Sequence, residues 1–390
     1  MNTGTRLTLI ALLGASSITL QCKRDASIDD LTTTLMTGSS ASTIIGKVTD
    51  EYGMPVQDAI VSNAGVKVLT DANGRFTLSM TAVEEDRRFI RADHSGYFPG
   101  LRTCQASRQD TQYVRLSLLS KKIAGSFHAL NGGLVSIGKK GQVDFSPNSI
   151  VNASDNSSYT GQVQVAIAYI DPAAKNFQET MPGELGGLTT GSRAVGLQSF
   201  GMLAVELTGH EGQQLQIAPG KQATVKIGIP TQLQKQSPAT IPLWHFDEAA
   251  GIWKEEGFAI RTGAQYTGKV SHFSFWNADY PYPAVRLQAS LLVKGAKFPI
   301  PIANYKVVIK AANDPVSTYG YGYTDAWGVV AGMVPANRDL EIYLHDYCGN
   351  AYLVAKVKGG DSDIQLGDIY VKNWLGMRED PSGQPVDCID

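Results

Sequence analysis

The chain has 390 residues, which is room for two or three domains, and only 18% of them are charged. With 43% hydrophobic residues and 40 glycines, the composition is that of a folded, turn-rich protein and not of a disordered one. The net charge is −2 and no basic run is longer than two residues, as in Lys139-Lys140. Nucleic acid is therefore not an expected partner, since its binding requires a clustered basic face.

Residues 1–22 have the pattern of an export signal. Arg6 supplies a positive charge, Leu7 to Leu20 form an uncharged, largely apolar run too short to span a bilayer, and Cys22 follows. This start resembles a bacterial lipoprotein signal of the Bacteroidota type. The resemblance implies lipidation of Cys22 and anchoring of the chain to the outer membrane of the cell envelope. Gln21 stands where such signals usually have a small residue, and an ordinary secreted protein cut nearby is the alternative.

The cysteines allow one disulfide in an oxidising envelope. If Cys22 carries lipid, Cys348 and Cys388 are close enough in sequence to pair, and Cys104 is then a buried or free thiol. The chain has no Cys-x-x-Cys sequence, which excludes a zinc ribbon.

Beyond a Ser-, Thr- and Asp-rich segment at 23–43, predicted to be a flexible tether, apolar and polar residues alternate as in half-buried strands. The clearest examples are Val163, Val165, Ile167 and Tyr169; Ala223, Val225, Ile227 and Ile229; and Leu340, Ile342 and Leu344. Helical periodicity is confined to a turn or two. Short strands with Gly, Pro and Asn between them predict an all-β fold of tandem β-sandwiches.

One sequence pattern occurs twice. Gly53-Met54-Pro55 is followed by Thr70-Asp71-Ala72-Asn73-Gly74-Arg75-Phe76, and later Pro299-Ile300-Pro301 is followed by Thr324-Asp325-Ala326-Trp327-Gly328-Val329. The first copy resembles the carboxypeptidase regulatory-like domain, which implies a seven-stranded, prealbumin-type sandwich over residues 44–118. The second copy, over 281–374, resembles it more loosely, and residues 375–390 are left as a tail.

The aspartates of these repeats are expected to act in turns. Calcium needs six to eight oxygen ligands, and the loop from Asp71 to Gly74 offers two side chains, Asp71 and Asn73. Asp71 and Asp325 are therefore expected to accept backbone hydrogen bonds within their turns.

The central segment, 119–280, predicts another sandwich. It ends in Leu243-Trp244-His245-Phe246-Asp247, a Trp at 253, and Val270-Ser271-His272-Phe273-Ser274-Phe275-Trp276. This order resembles the sandwich modules of cartilage intermediate layer protein and the related ZU-type domains of ankyrins and netrin receptors. The layout of Trp244, Trp253 and His272 also resembles the proteolysis-site end of GAIN domains, although the disulfide cysteines of that family are missing.

Some relatives of these domains cleave themselves at His-Phe-Ser. The resemblance implies that His272 takes the proton of the Ser274 hydroxyl, which attacks the carbonyl of Phe273 in a strained turn. The alternative is a plain strand with Phe273 and Phe275 inward, His272 on the wetter face and the tryptophans in the core.

Other chemistry is not indicated. The six histidines (94, 128, 210, 245, 272 and 345) are scattered along the sequence, so no metal site and no cofactor are expected. The turn Tyr319-Gly320-Tyr321-Gly322-Tyr323 is the one candidate binding surface, because tyrosines supply contact area with few rotatable bonds; a long hairpin without a ligand is the alternative.

The sequence therefore predicts a non-enzymatic, lipid-anchored envelope protein that binds or scaffolds, with a glycan or another envelope protein as its partner. The alternative function is self-processing between Phe273 and Ser274.

Overall fold

The computed structural model describes residues 42–80, 87–105, 111–314, 316 and 318–372. Within these ranges nearly all regular structure is β-strand, which confirms the predicted all-β class. The signal at 1–22, most of the tether, the tail at 375–390 and the cysteines at 22 and 388 lie outside the described residues. No helix in the described part of the chain is long and apolar enough to cross a membrane.

The first sandwich has two facing sheets with the orders β4-β1-β7 and β3-β2-β5-β6. Its strands are β1 (Ser42–Asp50), β2 (Ile60–Asn63), β3 (Val66–Leu69), β4 (Arg75–Met80), β5 (Arg87–Asp93), β6 (Gly100–Gln105) and β7 (Thr111–Leu118). β7 pairs in parallel with β1, whereas β4 pairs with it antiparallel. Alternate side chains of both sheets, such as Ile44, Val61, Leu78 and Ile90, fill the core between them.

The central unit is one sheet of thirteen strands with one short α-helix, α1 (Phe177–Thr180), and two 3₁₀ helices, Gly138–Lys140 and Thr231–Leu233. The strands are β8 (Ile123–His128), β9 (Gly133–Ser136), β10 (Gly141–Phe145), β11 (Ile150–Asn152), β12 (Gln162–Ile170), β13 (Gly186–Leu188), β14 (Ala194–Thr208), β15 (Gln214–Ile217), β16 (Ala223–Gly228), β17 (Thr240–Asp247), β18 (Ile252–Thr262), β19 (Gln265–Val270) and β20 (Phe275–Tyr282).

The two layers of the central unit belong to one hydrogen-bonded sheet, and the long strand β14, which contains a bulge, helps to connect them. β14 has 15 residues, and its pairing with β20 shifts register between Ser199 and Met202. Gly201 lies inside this bulge with φ +147°, and a Cβ there would lie 2.4 Å from the carbonyl oxygen of Gly228. A bulge of this kind lets one strand take part in both layers of a sandwich. The enclosed core draws on β10, β12, β14, β16, β17 and β20.

The third sandwich has two sheets. In one sheet β21 pairs with β22, β25 and β28, and the other sheet has the order β24-β23-β26-β27. Its strands are β21 (Ala284–Val293), β22 (Ile300–Pro301), β23 (Lys306–Ala311), β24 (Gly320–Tyr323), β25 (Val329–Pro335), β26 (Leu340–His345), β27 (Ala351–Val357) and β28 (Ile364–Tyr370). Apart from the two-residue β22, it repeats the connectivity of the first sandwich. β21 pairs antiparallel with β25 and parallel with β28, as β1 does with β4 and β7.

The repeated turns are also alike in atomic detail. Asp71 Oδ1 accepts hydrogen bonds from the backbone N–H groups of Asn73 and Arg75, both at 2.8 Å. Asp325 Oδ1 accepts them from Trp327 and Val329, both at 2.9 Å. These aspartates therefore serve as turn residues, as expected from the sequence.

Candidate functional site

The motif-rich segment of the central unit folds into neighbouring strands. β17 lies between β18 and β20; Trp244 and Trp253 pack in one core cluster and Trp276 in another, and all three are fully buried. Trp244 Nε1 donates to the carbonyl of Asp279, and Trp253 Nε1 to that of Pro182, both at 3.1 Å. The three tryptophans are core residues with satisfied N–H groups, in line with the plain-strand alternative.

The Phe273–Ser274 peptide is held by one glutamine. Gln216 accepts a hydrogen bond from the N–H of Phe273 and donates one to its carbonyl, both at 2.8 Å. The Ser274 hydroxyl lies 3.4 Å from the carbonyl of Phe275, and the ring of His272 faces Glu256. Neither Phe273 nor Ser274 has a positive φ. Among the described contacts none joins the His272 ring to the Ser274 hydroxyl, so self-cleavage stays a prediction.

Two histidines and a carboxylate meet beside this peptide. Glu256 Oε2 on β18 lies 3.2 Å from His272 Nε2 and 3.7 Å from His245 Nε2 on β17. The two imidazole rings are 4.7 Å apart and nearly perpendicular, and both contact the ring of Trp276. The side chains are 20% (His245), 32% (His272) and 40% (Glu256) exposed, so the cluster is accessible from solvent.

This cluster was missed in the sequence because the three residues lie far apart in the chain. His245 pairs with Trp276 and with Lys254, so only the register of β17 with β18 and β20 brings the side chains together. The alternation of the strands predicts which face each residue occupies, but not which strands are neighbours.

The pKa values of His245 and Glu256 are both shifted downward within the cluster. Burial, with the neighbouring His272, lowers the pKa of His245 below its usual value. Burial alone would raise the pKa of Glu256, but the hydrogen bond from Ser271 and the charges of the two histidines lower it. The cluster brings one carboxylate together with two imidazoles, a set of groups that could hold a metal ion.

The tyrosines proposed as an exposed binding turn are not exposed, and that prediction is wrong. Tyr319 is 1% exposed, and its hydroxyl bonds Asp314 Oδ2 at 2.7 Å and Arg338 at 2.6 Å. Tyr321 and Tyr323, on β24, are partly buried against the other two sandwiches. Alternating Gly and Tyr on this strand allow close packing between domains.

The tyrosines of β24 belong to a junction where all three sandwiches meet. Arg102 of β6 lies over the ring of Tyr321, 4.1 Å from its centre, and Arg115 of β7 lies 5.0 Å from that of Tyr323. From α1 of the central unit, Glu179 accepts a 2.8 Å hydrogen bond from the Tyr323 hydroxyl and pairs with Lys306 at 3.3 Å.

The junction is also tied to the backbone of the central unit. The Arg102 guanidinium donates to the carbonyls of Gly183, at 2.5 Å, and Gln178. Buried polar groups with specific partners fix one arrangement of the surfaces that they join.

The third sandwich exposes several apolar side chains elsewhere, Trp327, Tyr352 and Leu353 among them. Phe298 is 78% exposed, and Ile300 and Tyr370 lie next to it at 55% and 48%. These side chains surround the hairpin between β21 and β22.

The predicted disulfide is supported at one end. Cys348 is disulfide-bonded. Cys388 lies outside the described residues, so its pairing with Cys348 stays a prediction.

No protein-family model matches the chain. It is similar to cartilage intermediate layer protein 2 of Mus musculus, with 25% identity over 197 residues, 48% of this chain and 17% of that protein. The same protein of Homo sapiens is 24% identical over 121 residues, 30% of this chain and 10% of that one. The chain thus spans a small part of these curated relatives. The predicted resemblance to cartilage intermediate layer protein is supported at this low identity.

Solved structures give weaker likenesses. The major pilin subunit BcpA of Bacillus cereus has a TM-score of 0.17 and 10% identity, over 85% of this chain and 99% of that one. A Bacteroides fragilis protein described as membrane-associated and of unknown function has a TM-score of 0.19 and 9% identity, over 63% and 99%. Scores this low carry no argument about function.

Proposed function

We propose that the chain is a non-enzymatic, lipid-anchored protein of the bacterial cell envelope, which holds its sandwiches in a fixed arrangement as a scaffold for binding a glycan or another envelope protein. The observation that carries the scaffold is the junction around Glu179. A partly buried ion pair and two stacked arginines join surfaces that independent modules on flexible linkers would leave separate.

The N-terminal segment supports the anchoring. The apolar run from Leu7 to Leu20, with Cys22 after it, resembles the start of an acylated protein, and each buried CH₂ of an acyl chain contributes about 0.8 kcal/mol to membrane binding. The Ser- and Thr-rich residues 23–43 would then separate the first sandwich from the membrane.

The third sandwich supports a binding role. Phe298, Ile300 and Tyr370 are among its exposed apolar side chains, and they replace the tyrosines of β24 as the candidate contact. Exposed aromatic rings of this kind suit the apolar faces of sugars and of protein partners alike.

Cell fractionation tests the anchor. With the full chain expressed in a Gram-negative host, we expect the protein in the outer-membrane fraction, with a mass increased by acyl chains at Cys22. Cys22→Ala should move it to the soluble periplasmic fraction. An unacylated wild-type protein in the soluble fraction would contradict the proposal.

Binding is tested separately with the purified chain. We expect Phe298→Ser to abolish signals on a glycan array, or capture of outer-membrane proteins, that the wild type gives. Phe258→Ser, at a comparably exposed phenylalanine of the central unit (62% exposed), is the matched control. Signals that Phe298→Ser leaves unchanged would remove this surface from the proposal.

Self-processing makes a different prediction for the purified protein. Since Gln216 holds both polar groups of Phe273 and the His272 ring faces Glu256, we expect a single full-length band on a denaturing gel. A second band with the mass of residues 274–390, lost in Ser274→Ala, would show that cleavage does occur.

A further inference from the structure

We propose that His245, Glu256 and His272 bind one divalent transition-metal ion of the zinc type. The proposal goes beyond the scaffold function and does not depend on it. Its basis is the convergence of two imidazole nitrogens on one carboxylate oxygen at a solvent-accessible place in the sheet.

The distances fit such an ion. Zinc lies about 2.0–2.2 Å from nitrogen and oxygen ligands, so two ligands at a tetrahedral angle are roughly 3.4 Å apart. Glu256 Oε2 lies 3.2 Å from one imidazole nitrogen and 3.7 Å from the other, and the ligand atoms all lie within 4.8 Å of one another. The two imidazole rings would have to turn toward each other to bring all three ligand atoms to this spacing.

Two of the ligands are already held in place by neighbouring groups. Trp276 Nε1 donates a 2.9 Å hydrogen bond to the carbonyl of His272, and this fixes the backbone that carries the ring. The Ser271 hydroxyl lies 2.5 Å from Glu256 Oε1, which orients the carboxylate and leaves Oε2 facing the histidines. Such supporting hydrogen bonds are typical around metal ligands, because they fix the direction of the donor atoms.

The ligand set defines the class of ion. Imidazole nitrogen with one carboxylate suits zinc, copper, nickel or iron, whereas calcium and magnesium prefer oxygen alone. Two histidines and one glutamate leave a fourth position open, and the exposure of the three side chains allows water to fill it. The ion would join β17, β18 and the turn before β20, so its structural effect would be to fasten that turn to the sheet.

Calorimetric titration of zinc chloride into the tag-free, metal-free full chain tests the proposal. We expect one zinc per chain. His245→Ala, His272→Ala and Glu256→Gln should each weaken binding by at least about tenfold. His210→Ala, at an exposed turn histidine, is the matched control and should bind as the wild type does. Cobalt should give visible absorption of four-coordinate strength in the wild type, and this absorption should be lost in His272→Ala.

Melting temperatures keep the result interpretable. Zinc should raise the melting temperature of the wild type and of His210→Ala, and leave that of Glu256→Gln unchanged. Circular dichroism of each metal-free variant shows whether it is folded. A folded wild-type protein that takes up no zinc would overturn the proposal. Folded variants at the three ligand positions that bind zinc with wild-type affinity would also overturn it. In either case the cluster is a hydrogen-bonded network at the surface.

Discussion

Alanine at Gly74 or at Gly328 is expected to destabilise the protein by about 2–5 kcal/mol. Both glycines close an aspartate turn with positive φ, +72° and +77°, which costs an L-residue about 1–2 kcal/mol. A Cβ at Gly74 would lie 2.2 Å from the carbonyl oxygen of Val48, and one at Gly328 would lie 2.3 Å from that of Leu291. Relieving such a clash against backbone adds roughly 1–3 kcal/mol.

Urea unfolding measures this effect, and the chain offers matched controls. Gly53 and Gly349 both have φ +84°, and a Cβ at either position meets no atom within 4 Å. Alanine there should cost only the backbone contribution, about 1–2 kcal/mol. Equal losses at Gly74 and Gly53 would mean that the close approach to Val48 is not a constraint, and that the turns of the two sandwiches are looser than described.

The variant Glu179→Ala removes the carboxylate at the three-sandwich junction. It is expected to lower the free energy of unfolding by about 2–4 kcal/mol. Breaking a buried ion pair from one side costs about 3–5 kcal/mol, and the lower figure here reflects side chains that are 21% (Glu179) and 17% (Lys306) exposed. Lys306 would lose its partner, and the Tyr323 hydroxyl would lose its acceptor.

The same carboxylate makes the junction sensitive to acid. Burial alone would raise the pKa of Glu179, but Lys306, the Tyr323 hydroxyl and Arg115 lower it below its ordinary value of 4.5. A lowered native pKa means that the contribution to stability is fully present above pH 4.5 and is lost as the pH falls through the native value.

Unfolding of the wild type and of Glu179→Ala should therefore differ at pH 7 and converge in acid. Glu211→Gln, at an exposed turn glutamate, is the control and should follow the wild type at every pH. A difference that stays constant with pH would show that the Glu179 charge does not hold the junction.

The sequence was informative wherever structure depends on local pattern. The alternation at Val163–Tyr169 and Leu340–Leu344 predicted the strands β12 and β26, because successive side chains of a strand point to opposite faces. The Asp-x-x-Gly turns were also predictable, since their hydrogen bonds lie within five residues.

Features that depend on how distant segments meet were not predictable. Tyr321 and Tyr323 alternate with glycine just as they would in an exposed hairpin, and only the packing of β24 against Arg102 and Arg115 buries them. In the same way, His245 and His272 are 27 positions apart, and they meet because β17 and β20 are neighbours.

In the first and the third sandwich, the first strand pairs in parallel with the last strand, and this pairing determines how each sandwich responds to a pulling force. The β1–β7 ladder runs from Thr43 opposite Thr111 to Asp50 opposite Leu118, so the chain enters the first sandwich at one end of this ladder and leaves at the other. A force that pulls the two ends of the chain apart would therefore act along the two strands and load all of these hydrogen bonds in shear at the same time. It would not break them one after another. The β21–β28 ladder has the same orientation. We therefore expect the first and third sandwiches to resist stretching.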